Sequence, residues 1–251
     1  MTTPEKLEIR TPDGVAAAWA YRPPGGGAAP AIIYLPDAGG VRPTSQQMAE
    51  RLSSLGYFVL LPNTLYRSGD FAPVDMKTVF SNPPERARLM EAIKKVDAAA
   101  AERDVGAYLA AVAQQPGVLP GKVGCVGYCM GGRIAFIAAG AYPERVGAAA
   151  SFHGGNLANG EPDSPHLKAG HIRAHVYLGV ADNDGSCTPE QQGLLASSLG
   201  AAHVTYQIEL YAGVSHGFAV PDMPVYDAAA AERHWERLTT FFAASLPRAA
   251  R

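Results

Sequence analysis

The stretch Gly127-Tyr128-Cys129-Met130-Gly131-Gly132 constrains this chain more than any other, because it asks a strand to turn directly into a helix. Before it runs Lys122-Val-Gly-Cys-Val126, a short valine-rich apolar segment of the kind that forms a buried strand. After it, Arg133-Ile-Ala-Phe-Ile-Ala-Ala139 has helix-forming composition and no breaker. The residue at the apex of such a turn is forced into a strained backbone conformation. Glycines two before and two after it let strand and helix pass closely. The apex side chain stands exposed, with the free N–H groups and positive end of the new helix directed at it. For a cysteine that favours the thiolate, its reactive form. The pattern therefore presents Cys129 as a nucleophile, against the plainer alternative of a buried thiol in a Gly-rich turn.

The rest of the chain supplies a sheet to carry that turn. Strand-like runs fall at Leu7–Arg10, Val15–Tyr21, Ala31–Leu35, Tyr57–Leu61, Val123–Gly127, Ala148–Phe152, Val176–Val180 and Thr205–Leu210. The first two flank Thr-Pro-Asp-Gly and predict an antiparallel hairpin at one edge. Ile32-Ile-Tyr-Leu and Phe58-Val-Leu-Leu are continuously apolar, as parallel strands covered on both faces must be. Helical stretches lie at Ser45–Leu55, Pro84–Gln115, Gly131–Ala139, Pro189–Leu199 and Val225–Ala244. This alternation predicts an α/β fold: a mostly parallel, doubly wound sheet of about eight strands in one domain spanning 1–251. Right-handed crossovers then place the C-terminal strand ends on a common rim. The segment 66–97 breaks the rhythm, and is expected to form a cap over that rim or a long connection ending in a crossover helix.

Composition narrows the function. With 251 residues, 47% hydrophobic, the chain can bury one sizeable core. A balance of 21 basic and 23 acidic residues, without a basic cluster, gives no electrostatic support for nucleic-acid or anionic-membrane binding. No apolar run approaches a membrane span, and Met-Thr-Thr-Pro-Glu-Lys lacks a signal peptide's apolar core. Three cysteines suggest reduced thiols and a cytoplasmic protein. His166, His171 and His175 lie close in sequence, but zinc-ligand spacing is absent, so neither metal nor cofactor is expected.

A nucleophile needs a base within reach and a third group to orient that base. The strand around Val176–Val180 runs into Asp182-Asn-Asp184-Gly, and the strand around Thr205–Leu210 runs into Gly213-Val-Ser-His216-Gly-Phe218. Cys129, an aspartate and His216 thus each follow a strand on the same rim, in the order nucleophile, acid, histidine. Either Asp182 or Asp184 can supply the acid. Two N–H donors are also needed where an oxyanion develops. Met130 follows the nucleophile directly, and Pro36-Asp37-Ala38-Gly39-Gly40 offers a second donor, best placed at Ala38.

With these residues in view, the chain resembles the dienelactone hydrolase family of α/β-hydrolases from Gly14 to about Phe242. The resemblance rests on Tyr34-Leu-Pro-Asp-Ala-Gly-Gly-Val-Arg-Pro43, Gly56-Tyr-Phe-Val-Leu-Leu-Pro62, Gly127-Tyr-Cys-Met-Gly-Gly132, Gly179…Asp184…Pro189 and His216-Gly-Phe218. The cysteine elbow is its specific part, since most relatives in the wider fold use serine. The resemblance implies a triad of Cys129, His216 and an aspartate, with Asp184 fitting best because it lies nearer the following proline. It also implies hydrolysis of a small ester or lactone through a cysteinyl acyl-enzyme by a monomer or small homo-oligomer. Asp37 stands where members of the dienelactone-cleaving type carry a glutamate near the thiol. Val220 stands where they carry an arginine that binds a substrate carboxylate. Asp37, Tyr128, His153 and either Arg86 or Arg88 are the expected substrate-binding residues. A broader carboxylesterase or thioesterase, or a catalytically silent scaffold that binds a ligand, are the competing expectations. Cys125 should be a small core residue; Cys187 should lie in the acid loop, where exposure is open to it, and nothing marks it as reactive.

Overall fold

The computed structural model describes residues 3–69 and 71–247; Met1 and Thr2 of the N-terminal stretch, Asp70 in the cap segment and residues 248–251 lie outside it. Its strands are β1 (Glu5–Thr11), β2 (Gly14–Tyr21), β3 (Ala31–Leu35), β4 (Phe58–Pro62), β5 (Val123–Tyr128), β6 (Val146–Phe152), β7 (His175–Asn183) and β8 (Tyr206–Ser215). They form one sheet in the order β1-β2-β4-β3-β5-β6-β7-β8. Thr11 pairs with Gly14 across the predicted turn, and β2 also runs antiparallel to β4. From β4 to β8 every pairing is parallel. The expected mostly parallel sheet with an N-terminal hairpin is present.

The helices are α1 (Pro43–Ser54), α2 (Pro83–Lys94), α3 (Ala98–Ala113), α4 (Met130–Ala141), α5 (Pro189–Ala201) and α6 (Ala228–Ser245). Because side chains alternate along a strand, each central strand feeds two layers. Ile33, Leu35, Leu60 and Cys125 join Tyr108, Leu109, Ile134 and Phe136 of α3 and α4. Ile32, Tyr34, Val59, Leu61, Val126 and Tyr128 join Met48 and Leu52 of α1 and Trp235, Leu238 and Phe242 of α6. Burial on both faces explains why these strands read as unbroken apolar runs.

Three boundaries differ from expectation. The single helix expected over 84–115 is two, because Asp97 caps a new start by accepting the Ala100 N–H at 2.7 Å. The last helix begins at Ala228, not Val225, with Asp227 Oδ1 accepting the Ala230 N–H. Strand β8 continues through Gly213 to Ser215, because a register shift opposite β7 absorbs the glycine, at φ 77°, without ending the pairing.

Segment 66–97 lies against the C-terminal rim. Val74, Met76, Val79 and Leu89 form a small apolar cluster of their own with Ala38, and Phe71, Ile93 and Met223 pack around it.

The turn at Cys129 is held by backbone contact. A methyl group on Gly131 would collide with the carbonyls of Leu35 and Pro36, and one on Gly127 with the Gly131 carbonyl. Gly131→Ala should therefore yield no folded protein, or a loss at the upper end of what overpacking produces, roughly 3 kcal/mol or more. Gly193 in α5 is exposed with nothing near its missing side chain, so Gly193→Ala should stabilise by about 0.5–1 kcal/mol. Thermal denaturation of the two variants checks both.

Candidate active site

Cys129 sits between β5 and α4 at φ 53° and ψ −116°, a conformation that non-glycine residues rarely hold. Its N–H donates to Phe152 O, and its carbonyl accepts from Arg133 in the first turn of α4. The backbone on either side is thus pinned while the half-buried thiol projects from the rim. Met130 N–H opens the helix and has no acceptor among the described residues.

His216 follows β8, and its Nδ1–H donates to Asp184 Oδ2 at 2.8 Å. Asp184 follows β7 with its side chain almost wholly buried. Its other oxygen accepts from Ser186 N–H at 2.9 Å and from Ser186 Oγ at 2.6 Å. Each carboxylate oxygen therefore has its own donors. Burial pushes the Asp184 pKa up, but His216 and Ser186 outweigh it and hold the carboxyl below its usual range. Burial likewise lowers the His216 pKa, yet the Asp184 carboxylate and the Cys129 sulfur beside the ring raise it to about 10. Asp182 plays a different part: it is exposed, and its Oδ2 accepts the Gly213 N–H at 3.0 Å, bracing the irregularity in β8.

The loop after β3 is an Asp-turn. Asp37 Oδ1 accepts Gly39 N–H at 2.8 Å, and Asp37 O accepts Gly40 N–H at 2.9 Å. Between them, Ala38 N–H has no acceptor among the described residues. Asp37 is not open to a substrate as expected. Its carboxylate is buried and paired with Arg42, at 2.6 and 2.9 Å.

Two other expected substrate contacts fall elsewhere. Tyr128 has the same strand parity as Val126, so it points into the α6 layer, fully buried. Its hydroxyl donates to His234 Nε2 at 2.7 Å, while His234 Nδ1–H donates to Ala231 O at 2.8 Å. That removes Tyr128 from the substrate-binding set. Arg88 is held within the cap, donating to Ala72 O and Glu85 and lying 4.6 Å over the Phe71 ring. Arg86 is exposed on α2.

His153 does border the site. It is 1% exposed at φ 40°, and its ring lies 5.1 Å from that of His216 and 5.5 Å from that of Phe218. Burial, with His216 and His234 nearby, keeps it neutral with a pKa well below the ordinary value. Cys125 is a core residue whose pKa burial pushes up to about 12. Cys187 is buried, not open to solvent, and burial beside Asp184 pushes its pKa up to about 11. His166 bonds Ser164 and His175 bonds Ser245.

An eight-stranded, mostly parallel sheet with a cysteine elbow and a histidine–aspartate pair on one rim is the architecture of an α/β-hydrolase. The sequence matches the dienelactone hydrolase family over residues 16–246, and the chain belongs to that family. It is therefore a hydrolase. It is 27% identical over 241 residues to a Methylorubrum extorquens protein named "Putative carboxymethylenebutenolidase", covering 94% of this chain and 79% of the relative. A Synechocystis protein of the same name is 26% identical, covering 86% of this chain and 87% of that one. Among solved structures, a "Putative Dienelactone Hydrolase" from Klebsiella pneumoniae superposes with a TM-score of 0.82 at 23% identity, over 96% of this chain and 98% of that one.

The His216–Asp184 pair makes stability depend on pH. A histidine whose pKa is raised on folding contributes fully below its ordinary value of 6.5, and that contribution fades as pH rises toward about 10. Asp184, lowered on folding, contributes above 3.8 and loses that contribution in acid. The Tm gap between the parent and Asp184→Asn should therefore be widest at about pH 5–6.5 and close toward about pH 10. A series of thermal melts across pH measures it.

Proposed function

We propose that this enzyme hydrolyses a small ester or lactone through a cysteinyl acyl-enzyme, with Cys129 as nucleophile, His216 as base and acid, and Asp184 orienting His216. The observation that carries this reading is the 2.8 Å bond from His216 Nδ1 to a buried carboxylate, beside a thiol at a strained elbow. That bond fixes the imidazole so that Nε2 is left for the thiol. The Cys129 thiol gives its proton to His216 Nε2, the sulfur attacks the carbonyl carbon, and the displaced electron pair resides on the carbonyl oxygen. The N–H groups of Met130 and Ala38 receive that oxyanion. Collapse breaks the ester C–O bond, and the His216 imidazolium delivers that proton to the leaving oxygen. Water then attacks the thioester carbon, gives a proton to His216, and expels the thiolate as the acid forms. In a lactone the leaving oxygen stays attached, so one product results.

Cys129→Ala should lower kcat by several orders of magnitude, as loss of a triad nucleophile does elsewhere. Intact-protein mass spectrometry during turnover of a slow activated ester should show a covalent acyl adduct on Cys129 and on neither other cysteine. Asp184→Asn should depress kcat strongly, while Asp182→Asn leaves it nearly unchanged. Undiminished turnover by Cys129→Ala would sink the mechanism, whereas absence of turnover by the parent on every activated ester would favour a silent scaffold.

The cations near the site favour a neutral substrate. Position 220 is a buried valine, Arg88 is committed to the cap, and Arg42 to carboxylates. A charge-assisted contact contributes about 1.5–3 kcal/mol, so its loss lowers preference for an anion roughly tenfold or more. Neutral methyl esters should thus be cleaved at least as readily as the matching anionic lactones, compared by kcat/KM. A strong preference for the anion that Arg86→Ala abolishes would overturn this.

A further inference from the structure

Arg42 is a buried residue at this site that the reaction scheme does not use. Its guanidinium is 4% exposed, at the point where the loop after β3 enters α1. Nε donates to Asp222 Oδ2 at 2.7 Å. One terminal nitrogen donates to Asp37 Oδ1 at 2.6 Å and to Gly40 O at 3.3 Å. The other donates to Asp37 Oδ2 at 2.9 Å and to Asp222 Oδ1 at 2.8 Å. All five N–H donors are therefore occupied, and none remains for a ligand.

The two carboxylates belong to different catalytic loops. Asp37 precedes Ala38 and shapes its turn by accepting the Gly39 N–H. Asp222 lies in the loop that leaves His216, where Val220 N–H donates to Gly217 O and Met223 N–H to Val220 O. No β-sheet pairing joins these loops: β3 lies next to β5, and β8 is at the far edge, three strands further on. A planar fork bonded to two carboxylates fixes distance and angle together, which a single point charge does not.

We propose that Arg42 is a positioning residue that locks the Ala38 N–H in register with His216, and so sets the oxyanion site for catalysis. The proposal rests on the assignment of Cys129, His216 and Ala38 made above. It predicts an effect on the chemical step and not on binding: a donor displaced by about 1 Å loses on the order of a hundredfold in rate. Gly39 transmits the constraint, because a side chain there would strike the Arg42 guanidinium and the Met76 sulfur.

The test is Arg42→Lys, which keeps the charge but cannot bond both carboxylates in this geometry, alongside Asp222→Ala. The second variant removes only the 29% exposed arm and leaves the buried Asp37–Arg42 pair intact, so it remains informative if the first does not fold. For each, kcat and KM on an activated ester are compared with the rate at which iodoacetamide alkylates Cys129. Alkylation needs the thiolate and His216 but develops no oxyanion. Arg42→Lys should lose roughly tenfold to a hundredfold in kcat, and Asp222→Ala several-fold, with KM and the alkylation rate each within about twofold of the parent. Inhibition by a trifluoromethyl ketone, whose adduct places an oxyanion in the same site, should weaken in step with kcat. Unchanged kcat in both variants, or an alkylation rate that falls in parallel with kcat, would overturn the proposal. If instead the parent's activity survives Cys129→Ala, the active-site assignment itself fails, and that outcome is distinct from either of these.

Discussion

Helix α4 starts so close to the end of β3 that Gly131 Cα faces the carbonyls of Leu35 and Pro36 with no space for a methyl group. The same turn presses Gly127 against Gly131, and leaves Gly132 with Ser151 Oγ where its side chain would be. Three backbones thus converge at one point on the rim. This convergence sets Cys129 at its strained φ, brings the Ala38 loop alongside the first turn of α4, and fixes the direction of the helix dipole. The strain is tolerable because large apolar layers on both faces of the sheet hold strand and helix in place.

A second level of organisation fixes side chains on this frame. Asp184 has donors on both oxygens, and Arg42 has an acceptor for every N–H. Buried charges are tolerated only when paired and hydrogen-bonded. Both groups meet that condition by linking segments far apart in sequence. Asp184 joins the loops after β7 and β8, and Arg42 joins those after β3 and β8. Polar contacts tie the loops of the rim to one another, while the sheet beneath is held by apolar packing.

That division explains what could be read from the residues alone. The strands and the cysteine elbow were legible because continuous apolar runs and glycine spacing are local signals. The pairing of His216 with Asp184, not Asp182, turned on which aspartate falls beyond the last paired residue of β7. Element boundaries inferred from a sequence do not resolve that difference of two positions. Asp37 and Tyr128 were misplaced for separate reasons. Tyr128 obeys the strand parity already visible at Cys125 and Val126, and that signal could have excluded it. Asp37 is claimed by Arg42 five positions on, and the second carboxylate that fixes this arginine, Asp222, lies 180 residues away and leaves no local trace. Ser186 was equally hidden, although a serine two residues after an aspartate is a common hydrogen-bonded turn. Helices α2 and α3 were fused because Lys95-Val-Asp97 contains no glycine or proline to announce a break.

The cap has a bearing on how this enzyme can change. Its apolar cluster of Val74, Met76, Val79 and Leu89 is separate from both layers that stabilise the sheet, and meets the C-terminal rim at Ala38 and Met223. Substitutions there alter the surface beside Ala38 and Met223 while leaving the two apolar layers of the sheet untouched. Two of the contacting side chains are methionines, which repack around new shapes with little strain. The packing of this segment and the packing of the sheet are thus written in different parts of the chain, so the first can change shape while the second stays in place.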